Sequence, residues 1–361
     1  MTRSRAMWMW GLAAAVWTAP VEGQQLGEGP SPTDATADAG ARRLTVVGYG
    51  DAKARAAAAE RVSDAAVRAP VALPLASNSG PDVLHVQILL DAARFGPGVL
   101  DARWSENTAF ALRAFRTAQG LPDSDEIDDD VLARLGAAAG GRDPLARYTL
   151  TDADVRGPYR TMPRSIYAKA KLDCLCYQSL LELLGERFHT TSDVLRRLNP
   201  DVDFTRAAAG TAVTVPNVTR ERLPAATARI VVDRSEGGLH GLDAGGRVLF
   251  WLPSTVGSRD EPSPRGLLRV ESVERNPRYH FNPRVLGDVP DSQPDAELAP
   301  GPNSPVGVLW AQLSKDHVGI HGTADPELVG YAQSHGCVRL TNWDAGWIAG
   351  LLRPGLPVEF R

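Results

Sequence analysis

The stretch Ser334-His335-Gly336-Cys337-Val338-Arg339-Leu340 decides the fold of the C-terminal part of this chain, together with Ile320-His321-Gly322-Thr323 upstream of it. Every second residue of the first stretch, from His335 through Cys337 to Arg339, lies on one face if the stretch is extended. The second stretch begins within an apolar run, so its histidine can reach that face from a neighbouring strand. A thiol reacts as the thiolate, and a nearby imidazole can take its proton. The two stretches therefore predict a cysteine–histidine site on a sheet.

Two glycines accompany these reactive residues. Gly322 and Gly336 let the backbone approach a bound molecule closely, and the amides of Gly336 and Cys337 are placed to stabilise an oxyanion. A metal site is the competing interpretation, but two histidines and one thiol lack a fourth ligand at any familiar spacing. We therefore predict nucleophilic chemistry and no bound metal.

The composition limits the class of protein. A chain of 361 residues is expected to form two or three compact units. Its hydrophobic fraction of 43% and charged fraction of 23% are ordinary for globular proteins. A formal net charge of −4, without a long basic cluster, gives no basis for nucleic-acid binding.

The N-terminus has the pattern of a signal peptide. Two arginines precede an apolar stretch over residues 7–20, and Gly23 offers a small residue for cleavage. The stretch is shorter than the roughly 20 residues that a bilayer requires, so no stable membrane anchor is expected to remain. We predict a signal peptide over 1–23. Residues 24–79, rich in Ala, Gly, Pro and Ser, are expected to form a disordered linker.

Three cysteines are present, so they cannot all be paired within the chain. Cys174 and Cys176 are the obvious pair, but their surroundings are predicted to be helical. Residues two apart on a helix point about 200° away from each other, which does not suit a disulfide. The favoured interpretation is two small apolar residues without a bond. Cys337 is then a free thiol.

Residues 80–140 have the periodicity of three short helices. Ser105 is placed to cap the second helix and Asp128 the third. The segment Gly96-Pro97-Gly98-Val99-Leu100-Asp101 and the residues that follow it resemble a three-helix peptidoglycan-binding domain. This resemblance implies attachment to the cell wall, and a helical spacer without binding function is the alternative.

Residues 146–218 are expected to form a second small unit. An apolar helix over Leu175–Phe188 is followed by another helix, and the final Ala212-Val213-Thr214-Val215-Pro216-Asn217 alternates like a strand. Helix, Leu198-Asn199-Pro200 and closing Val-Pro-Asn resemble the second half of a LysM module. This resemblance implies binding of glycan strands.

From about residue 226 to residue 361, short β-like runs alternate with turns. The runs lie at Ile230–Val232, Val248–Trp251, Leu267–Val270 and Val306–Trp310, and a last helix fits Trp343–Leu352. Gly245-Gly246 is expected to form the turn between the first two runs. The predicted fold class is multidomain α+β, with a three-helix bundle, a small LysM-like α/β module and a mainly-β catalytic domain over 226–361.

The reactive segments resemble the L,D-transpeptidase catalytic domain of the YkuD type. The resemblance rests on His-Gly-Thr starting at His321 and on Ser-His-Gly-Cys-Val-Arg-Leu-Thr-Asn-Trp-Asp starting at Ser334. Further matches are Pro264-Arg265-Gly266, Asn276-Pro277 with Tyr279, and Gly301-Pro302-Asn303, so that the whole spans about Ile230 to Phe360.

The resemblance implies a role for each motif residue. Cys337 is the nucleophile, His321 is its general base, and Gly336 supplies an oxyanion amide. In this family a backbone carbonyl orients the base, and Gly322 occupies that position. The carboxylates that remain as alternatives are those of Asp316 and Asp325. The residues expected to bind substrate are Ser334, His335, Arg339 and Thr323.

The resemblance also implies a reaction without a cofactor, in the periplasm, on peptidoglycan stems and strands. The thiol attacks a tetrapeptide stem at diaminopimelate, releases D-Ala and passes the acyl group to an amine. With water as acceptor the same site is an L,D-carboxypeptidase or amidase, and an outer-membrane protein is a further candidate acceptor. A non-catalytic wall-binding protein is the second alternative, although a thiol and a base have no joint structural purpose.

Overall fold

The structure is a computed structural model that describes residues 62–220, 222–258, 261–286, 290 and 292–361. The signal peptide expected over residues 1–23 and the first part of the expected linker lie outside these ranges. Within them, no helix combines the length and apolarity needed to cross a membrane.

Helices occupy mainly the N-terminal half of the described chain, and strands the C-terminal half. The helices are α1 (Asp64–Arg68), α2 (Pro81–Ala92), α3 (Glu106–Ala118), α4 (Asp129–Ala138), α5 (Asp152–Arg156), α6 (Ile166–Lys169), α7 (Leu180–Arg187), α8 (Ser192–Leu198), α9 (Pro283–Leu286) and α10 (Asn342–Ile348), with a 3₁₀ turn at Pro326–Leu328. The strands are β1 (Leu145–Thr149), β2 (Ala212–Pro216), β3 (Arg229–Asp233), β4 (Gly238–Leu242), β5 (Val248–Pro253), β6 (Gly266–Arg275), β7 (Tyr279–Phe281), β8 (Ala296–Leu298), β9 (Leu309–Leu313), β10 (Gly319–His321), β11 (Val338–Arg339) and β12 (Pro357–Phe360).

An eight-stranded sheet, in the order β11-β10-β9-β6-β12-β3-β4-β5, organises the C-terminal half. Its neighbours are antiparallel except β10 with β11 and β3 with β12. Three expected runs lie in β3, β5 and β6, whereas the run Val306–Trp310 overlaps β9 only at its last two residues, because residues 305–308 form a turn. No expected run corresponds to β4. The turn expected at Gly245-Gly246 lies between β4 and β5. The sequence predicts that it joins the runs of β3 and β5, and that pairing is wrong. Gly238 and Gly241 both lie in β4, and they interrupt the apolar alternation by which a strand is recognised in sequence.

The core of this half lies between the sheet and α10. Ile230, Ile320 and Val338 from three strands pack in one cluster with Ile348 of the helix. Thr341 caps α10 by accepting a hydrogen bond from the N–H of Asp344 (3.2 Å), as expected for a threonine at this position. The helix is thereby fixed behind the strands that carry the reactive motif.

The three helices expected over residues 80–140 are α2, α3 and α4. Ser105 and Asp128 cap α3 and α4 through their side chains, as the sequence predicts. The fully buried Trp251 of β5 belongs to the core of this helical group and faces Phe110 at 6.5 Å between ring centroids. The helical group is therefore packed directly on the outer strand of the large sheet.

The end of the expected linker is structured. Val62 and Val67 are almost fully buried in one cluster with Ile88 and Val194, and Val67 is the buried residue of α1. The prediction of a disordered linker up to residue 79 is therefore wrong for residues 62–79. The averaged composition of the segment concealed two valines that supply apolar contacts.

The second small unit is framed by the antiparallel pair β1–β2, with α7 and α8 packed against it. The predicted helix over Leu175–Phe188 begins later, at Leu180, because Ser179 caps it by accepting from the N–H of Glu182 (3.1 Å). Residues 157–179, which include α6, connect α5 to α7. Whether this unit and the three-helix unit bind the cell wall stays a prediction.

The segment before Ser179 contains the disulfide Cys174–Cys176, so the interpretation of two unbonded cysteines was wrong. That interpretation assumed a helix that begins at Leu175, but this segment is not helical. The Cα atoms of Cys174 and Cys176 lie 5.3 Å apart, a distance that suits a disulfide. Leu175, between the cysteines, points its backbone N–H to the carbonyl of Pro300 (3.0 Å) and accepts from the N–H of Asn303 (2.9 Å). The bridged loop is thus anchored to the C-terminal half.

A buried arginine joins the three parts of the fold. Arg220 pairs with Asp91 of α2 and with Asp344 of α10 (2.5 Å), and all three side chains are at most 4% exposed. His189, which follows α7, hydrogen-bonds Asp91 through Nδ1 (3.1 Å). Burial alone would raise the pKa of Asp91, but Arg220 and His189 lower it to about 2.

Replacing Arg220 by methionine should lower the free energy of unfolding by about 3–5 kcal/mol, because two buried carboxylates lose their partner. Urea denaturation measures this loss. Arg206→Met is the matched control, since Arg206 is 88% exposed and its pairing with Asp203 should contribute about 0.5 kcal/mol or less. Adding Asp91→Asn and Asp344→Asn to Arg220→Met should recover part of the loss. Equal stability of the Arg220 and Arg206 variants would contradict the assignment.

Candidate active site

A cavity of about 510 Å³ opens on the face of the sheet that carries the reactive motif. Cys337, His321, His335 and Arg339 all border it. The remaining lining residues are Glu274, Pro277, Arg278, Tyr279, His280, Asn282, Pro305, Val306, Trp310, Gln312 and His317. The cavity therefore brings together residues from both halves of the motif.

Parallel pairing of β10 with β11 places the two motif halves side by side. Ile320 lies opposite Val338, and His321 lies opposite Arg339. The apolar members of these strands point into the core, while the alternating polar members reach the cavity. This is the arrangement that the alternation of the sequence predicts.

His321 is held as a neutral imidazole. Its Nδ1 donates a hydrogen bond to the carbonyl of Gly322 (2.7 Å), and Trp310 stacks on its ring at 5.4 Å between centroids. Burial lowers the pKa of His321 to about 4, with a smaller contribution from the charge of Arg339. With Nδ1 protonated, Nε2 is the nitrogen that can accept a proton at neutral pH. Asp316 and Asp325 are therefore not needed to orient the ring.

Cys337 is the only cysteine outside the disulfide. Its thiol donates to the carbonyl of His317 (3.4 Å), a residue with a backbone φ of 60°. Burial raises the pKa of the thiol, against smaller opposing effects of the Gly319 backbone and Arg339. Both shifts favour the neutral forms, a protonated thiol at Cys337 and an uncharged imidazole at His321.

The turn before Cys337 uses two of the expected site residues for its own structure. The Ser334 hydroxyl donates to the carbonyl of Cys337 (2.6 Å) and accepts from the N–H of Gly336 (3.2 Å). Ser334 is buried and does not border the cavity. The structure therefore does not support Ser334 as a substrate ligand or the Gly336 amide as a free oxyanion donor. A positive φ at Gly336 tightens this turn.

Thr323 is likewise turned away from the cavity. It is buried, and its hydroxyl accepts from the N–H of Asp325 (3.2 Å). The expectation that Thr323 binds substrate is not supported, because its side chain closes a local turn.

His335 and Arg339 border the cavity as expected. His335 Nε2 lies 3.5 Å from a carboxylate oxygen of Glu261. Within the described part of the chain Arg339 forms no ion pair, so its charge is available to an anionic ligand. No group of three or more His, Cys, Asp or Glu side chains among the described residues is arranged to hold a metal.

Several cavity residues were missed in the sequence. Trp310 and Gln312 of β9 alternate with buried neighbours, and this period-2 pattern is a signal for their common face. His317 gave no such signal, since a loop position carries no periodicity. Tyr279 and His280 reach the cavity because the β7–β8 hairpin folds over it, which is a tertiary effect.

The β7–β8 hairpin is supported from behind by the second small unit. Leu175 of the bridged loop shares a buried cluster with Phe281 and Leu298 of the hairpin. Tyr167 of α6 packs edge-on against Phe281, with 6.0 Å between the ring centroids. Its hydroxyl donates a hydrogen bond to the carbonyl of Pro294 (3.0 Å). The second unit therefore supports the strand pair that contributes Tyr279 and His280 to the cavity lining.

A half-buried thiol and a neutral imidazole that border one cavity are the groups that an enzyme with a cysteine nucleophile requires. Residues 227–360 match the family model of the L,D-transpeptidase catalytic domain, YkuD. This part of the chain is therefore an L,D-transpeptidase catalytic domain, a class of domain that transfers acyl groups with a cysteine.

Relatives support this domain assignment at the level of sequence. The chain is 29% identical over 180 residues to the "Putative L,D-transpeptidase YkuD" of Bacillus licheniformis, which covers 50% of this chain and 92% of that protein. A protein of the same name from Bacillus subtilis is 44% identical over 57 residues, covering 16% of this chain and 35% of the relative. A crystal structure of an L,D-transpeptidase from Xylanimonas cellulosilytica is 15% identical with a TM-score of 0.35, covering 79% of this chain and 95% of that one.

Alkylation of Cys337 by iodoacetamide should rise with pH and reach half its maximum above the ordinary thiol pKa of about 8.5. The reason is that burial keeps the thiol protonated in the resting enzyme. Mass spectrometry of the labelled protein at pH values from 5 to 10 measures the rate. Cys337→Ser is the control and should take up no label. A plateau of full reactivity between pH 5 and 7 would instead indicate an ion pair.

Proposed function

We propose that this protein is an exported, periplasmic L,D-transpeptidase that remodels peptidoglycan. Cys337 attacks the carbonyl carbon of the amide between diaminopimelate and the terminal D-Ala of a tetrapeptide stem. His321 takes the thiol proton on Nε2 and gives it to the leaving amine, so that D-Ala departs and a thioester remains.

The second half-reaction consumes the thioester. An amine, such as the side chain of a second stem's diaminopimelate, attacks the acyl carbon and displaces the thiolate of Cys337. The proton lost by the amine returns through His321 to the sulfur, and a new amide cross-link is formed. No metal or organic group is required in either step.

The observation that carries this proposal is that Cys337 and a neutral His321 border the same cavity, in the domain that matches the family. A base that is neutral at pH 7 and has a fixed protonated Nδ1 is ready to accept a proton on the other nitrogen. A thiol whose pKa is raised needs such a base at the moment of attack. The amide left for an oxyanion is that of Cys337, because Gly336 donates to Ser334.

The charge of the cavity supports an anionic peptide as substrate. Two arginines, Arg278 and Arg339, line the cavity against one carboxylate, Glu274, among the described lining residues. Arg278 is already paired with Glu297 at 2.9 Å, whereas Arg339 has no acidic partner among the described residues. We assign Arg339 to a carboxylate of the stem peptide, which an arginine can bind through two parallel hydrogen bonds.

The three-helix and LysM-like units are proposed to hold the catalytic domain on glycan strands. Their firm packing on the sheet supports a fixed orientation of the cavity relative to the wall, and not a loose tether. An outer-membrane protein remains a further acceptor within this proposal.

Cys337→Ala should abolish release of D-Ala from tetrapeptide muropeptides while binding to isolated sacculi is retained. The reason is that the variant loses the nucleophile and leaves the other two units intact. Mass spectrometry of muropeptides after incubation with the purified enzyme measures both trimming and cross-linking. Unchanged release of D-Ala in the variant would overturn the assignment of Cys337.

The same measurement distinguishes the acceptors. Cross-linked products indicate an amine acceptor, as proposed here. Tripeptides without cross-links, at saturating amine, would indicate hydrolysis and thus a carboxypeptidase on the same site.

A further inference from the structure

The side chain of Asn342, the first residue of α10, lies directly behind the turn that carries His321. Its Oδ1 accepts from the N–H of Val308 (3.1 Å), and its Nδ2 donates to the carbonyl of Pro302 (3.0 Å) and to Oε2 of Glu186 (3.0 Å). Both Nδ2 protons are thus used, and the residue is 2% exposed. The amide has little freedom to rotate as long as all three partners are present.

Two glycines are pressed against the same amide oxygen. A Cβ atom at Gly322 would lie 2.2 Å from Oδ1 of Asn342, and one at Gly307 would lie 1.9 Å from it. No side chain fits there, so the peptide at Gly322 is in direct contact with Asn342. The carbonyl of Gly322 is the acceptor for Nδ1 of His321 (2.7 Å). The position of Asn342 therefore bears on the position of the imidazole.

Glu186, the third partner of Asn342, comes from α7 and so from outside the catalytic domain. Its Oε1 accepts from the hydroxyl of Tyr177 (3.0 Å), while Oε2 accepts from Asn342. Burial raises the pKa of Glu186 to about 7, and the nearby Glu182 adds to this effect. Because each carboxyl oxygen of Glu186 accepts a hydrogen bond from a protein side chain, the carboxyl is held in place and is not a solvated surface group.

We propose that Glu186 is a positioning residue for the acyl transfer, acting from the second small unit on the general base. It holds Asn342, Asn342 holds the Gly322 peptide, and the Gly322 carbonyl keeps Nε2 of His321 available to the thiol. The inference rests on the role of His321 in the proposed function. Glu186 itself contacts neither the thiol nor the cavity.

The charged and titratable neighbours of Glu186 are few. Tyr177 and Glu182 face it from its own unit, and the neutral Asn342 faces it from α10. Among the described residues no cation is paired with Glu186. A substitution at this position therefore changes the support of Asn342 without releasing a partner charge.

The test compares Glu186→Met with Glu186→Gln. Methionine keeps the volume but removes both acceptor atoms, so kcat for D-Ala release should fall about tenfold or more with KM unchanged. Iodoacetamide labelling of Cys337 should shift to higher pH, toward the profile of His321→Ala. Glutamine should restore most of kcat, because its oxygen can accept from Asn342 and its amide can donate to Tyr177.

Glu182→Met is the matched control. Glu182 lies one turn earlier on α7 and accepts from Asn303 (2.7 Å), so its replacement disturbs the same interface without touching Asn342. Its labelling profile should equal that of the unaltered protein. Thermal unfolding of each variant shows whether a loss of activity follows from a loss of stability.

Two results would overturn the inference. One is a Glu186→Met enzyme whose kcat and labelling profile are unchanged. The other is an unchanged labelling profile in Glu186→Met together with a loss of activity that is explained by lost stability to the same extent in Glu186→Met and Glu182→Met. Failure of the proposed function has a different signature, namely an unchanged labelling profile in His321→Ala. The two failures are therefore distinguishable.

Discussion

The buried pairing of Arg220 with Asp91 and Asp344 is the constraint on which the arrangement of the other units depends. Each carboxylate comes from a different unit, and the guanidinium lies over the ring of Trp347 at 5.4 Å as well. A buried charge that loses its partner is strongly unfavourable, so none of these elements can move away on its own. Asp344 belongs to α10, the helix that begins at Asn342 behind His321. The electrostatic junction and the reactive site therefore share one rigid element.

Features that depend on neighbours in sequence could be predicted. The alternation of His335, Cys337 and Arg339 placed them on one face, since the period of a strand is a local property. The caps at Ser105 and Asp128 were also identifiable, because capping needs only a side chain and the amide three residues on. The Gly322 carbonyl as the partner of His321 came from the family resemblance, and the structure shows that contact.

Features that depend on distant contacts could not. The predicted helix over Leu175–Phe188 hid the disulfide, because only the docking of Leu175 on Pro300 and Asn303 shows why the segment is extended. The sequence around Trp251 predicts a strand, and no local pattern indicates that this side chain belongs to the core of the helical unit. Ser334 and Thr323 have the polarity of substrate ligands, yet both are used in turns, which only backbone geometry reveals.

The support that the second unit gives to the β7–β8 hairpin has a consequence for how such proteins diversify. Tyr167 and Leu175 lie well outside the catalytic domain, but they pack on Phe281, next to the lining residues Tyr279 and His280. Recombination that exchanges the module over residues 146–218 would therefore disturb the support of the cavity as well as the module itself. In this architecture the boundary of the enzyme in evolutionary terms lies upstream of the boundary of its catalytic domain.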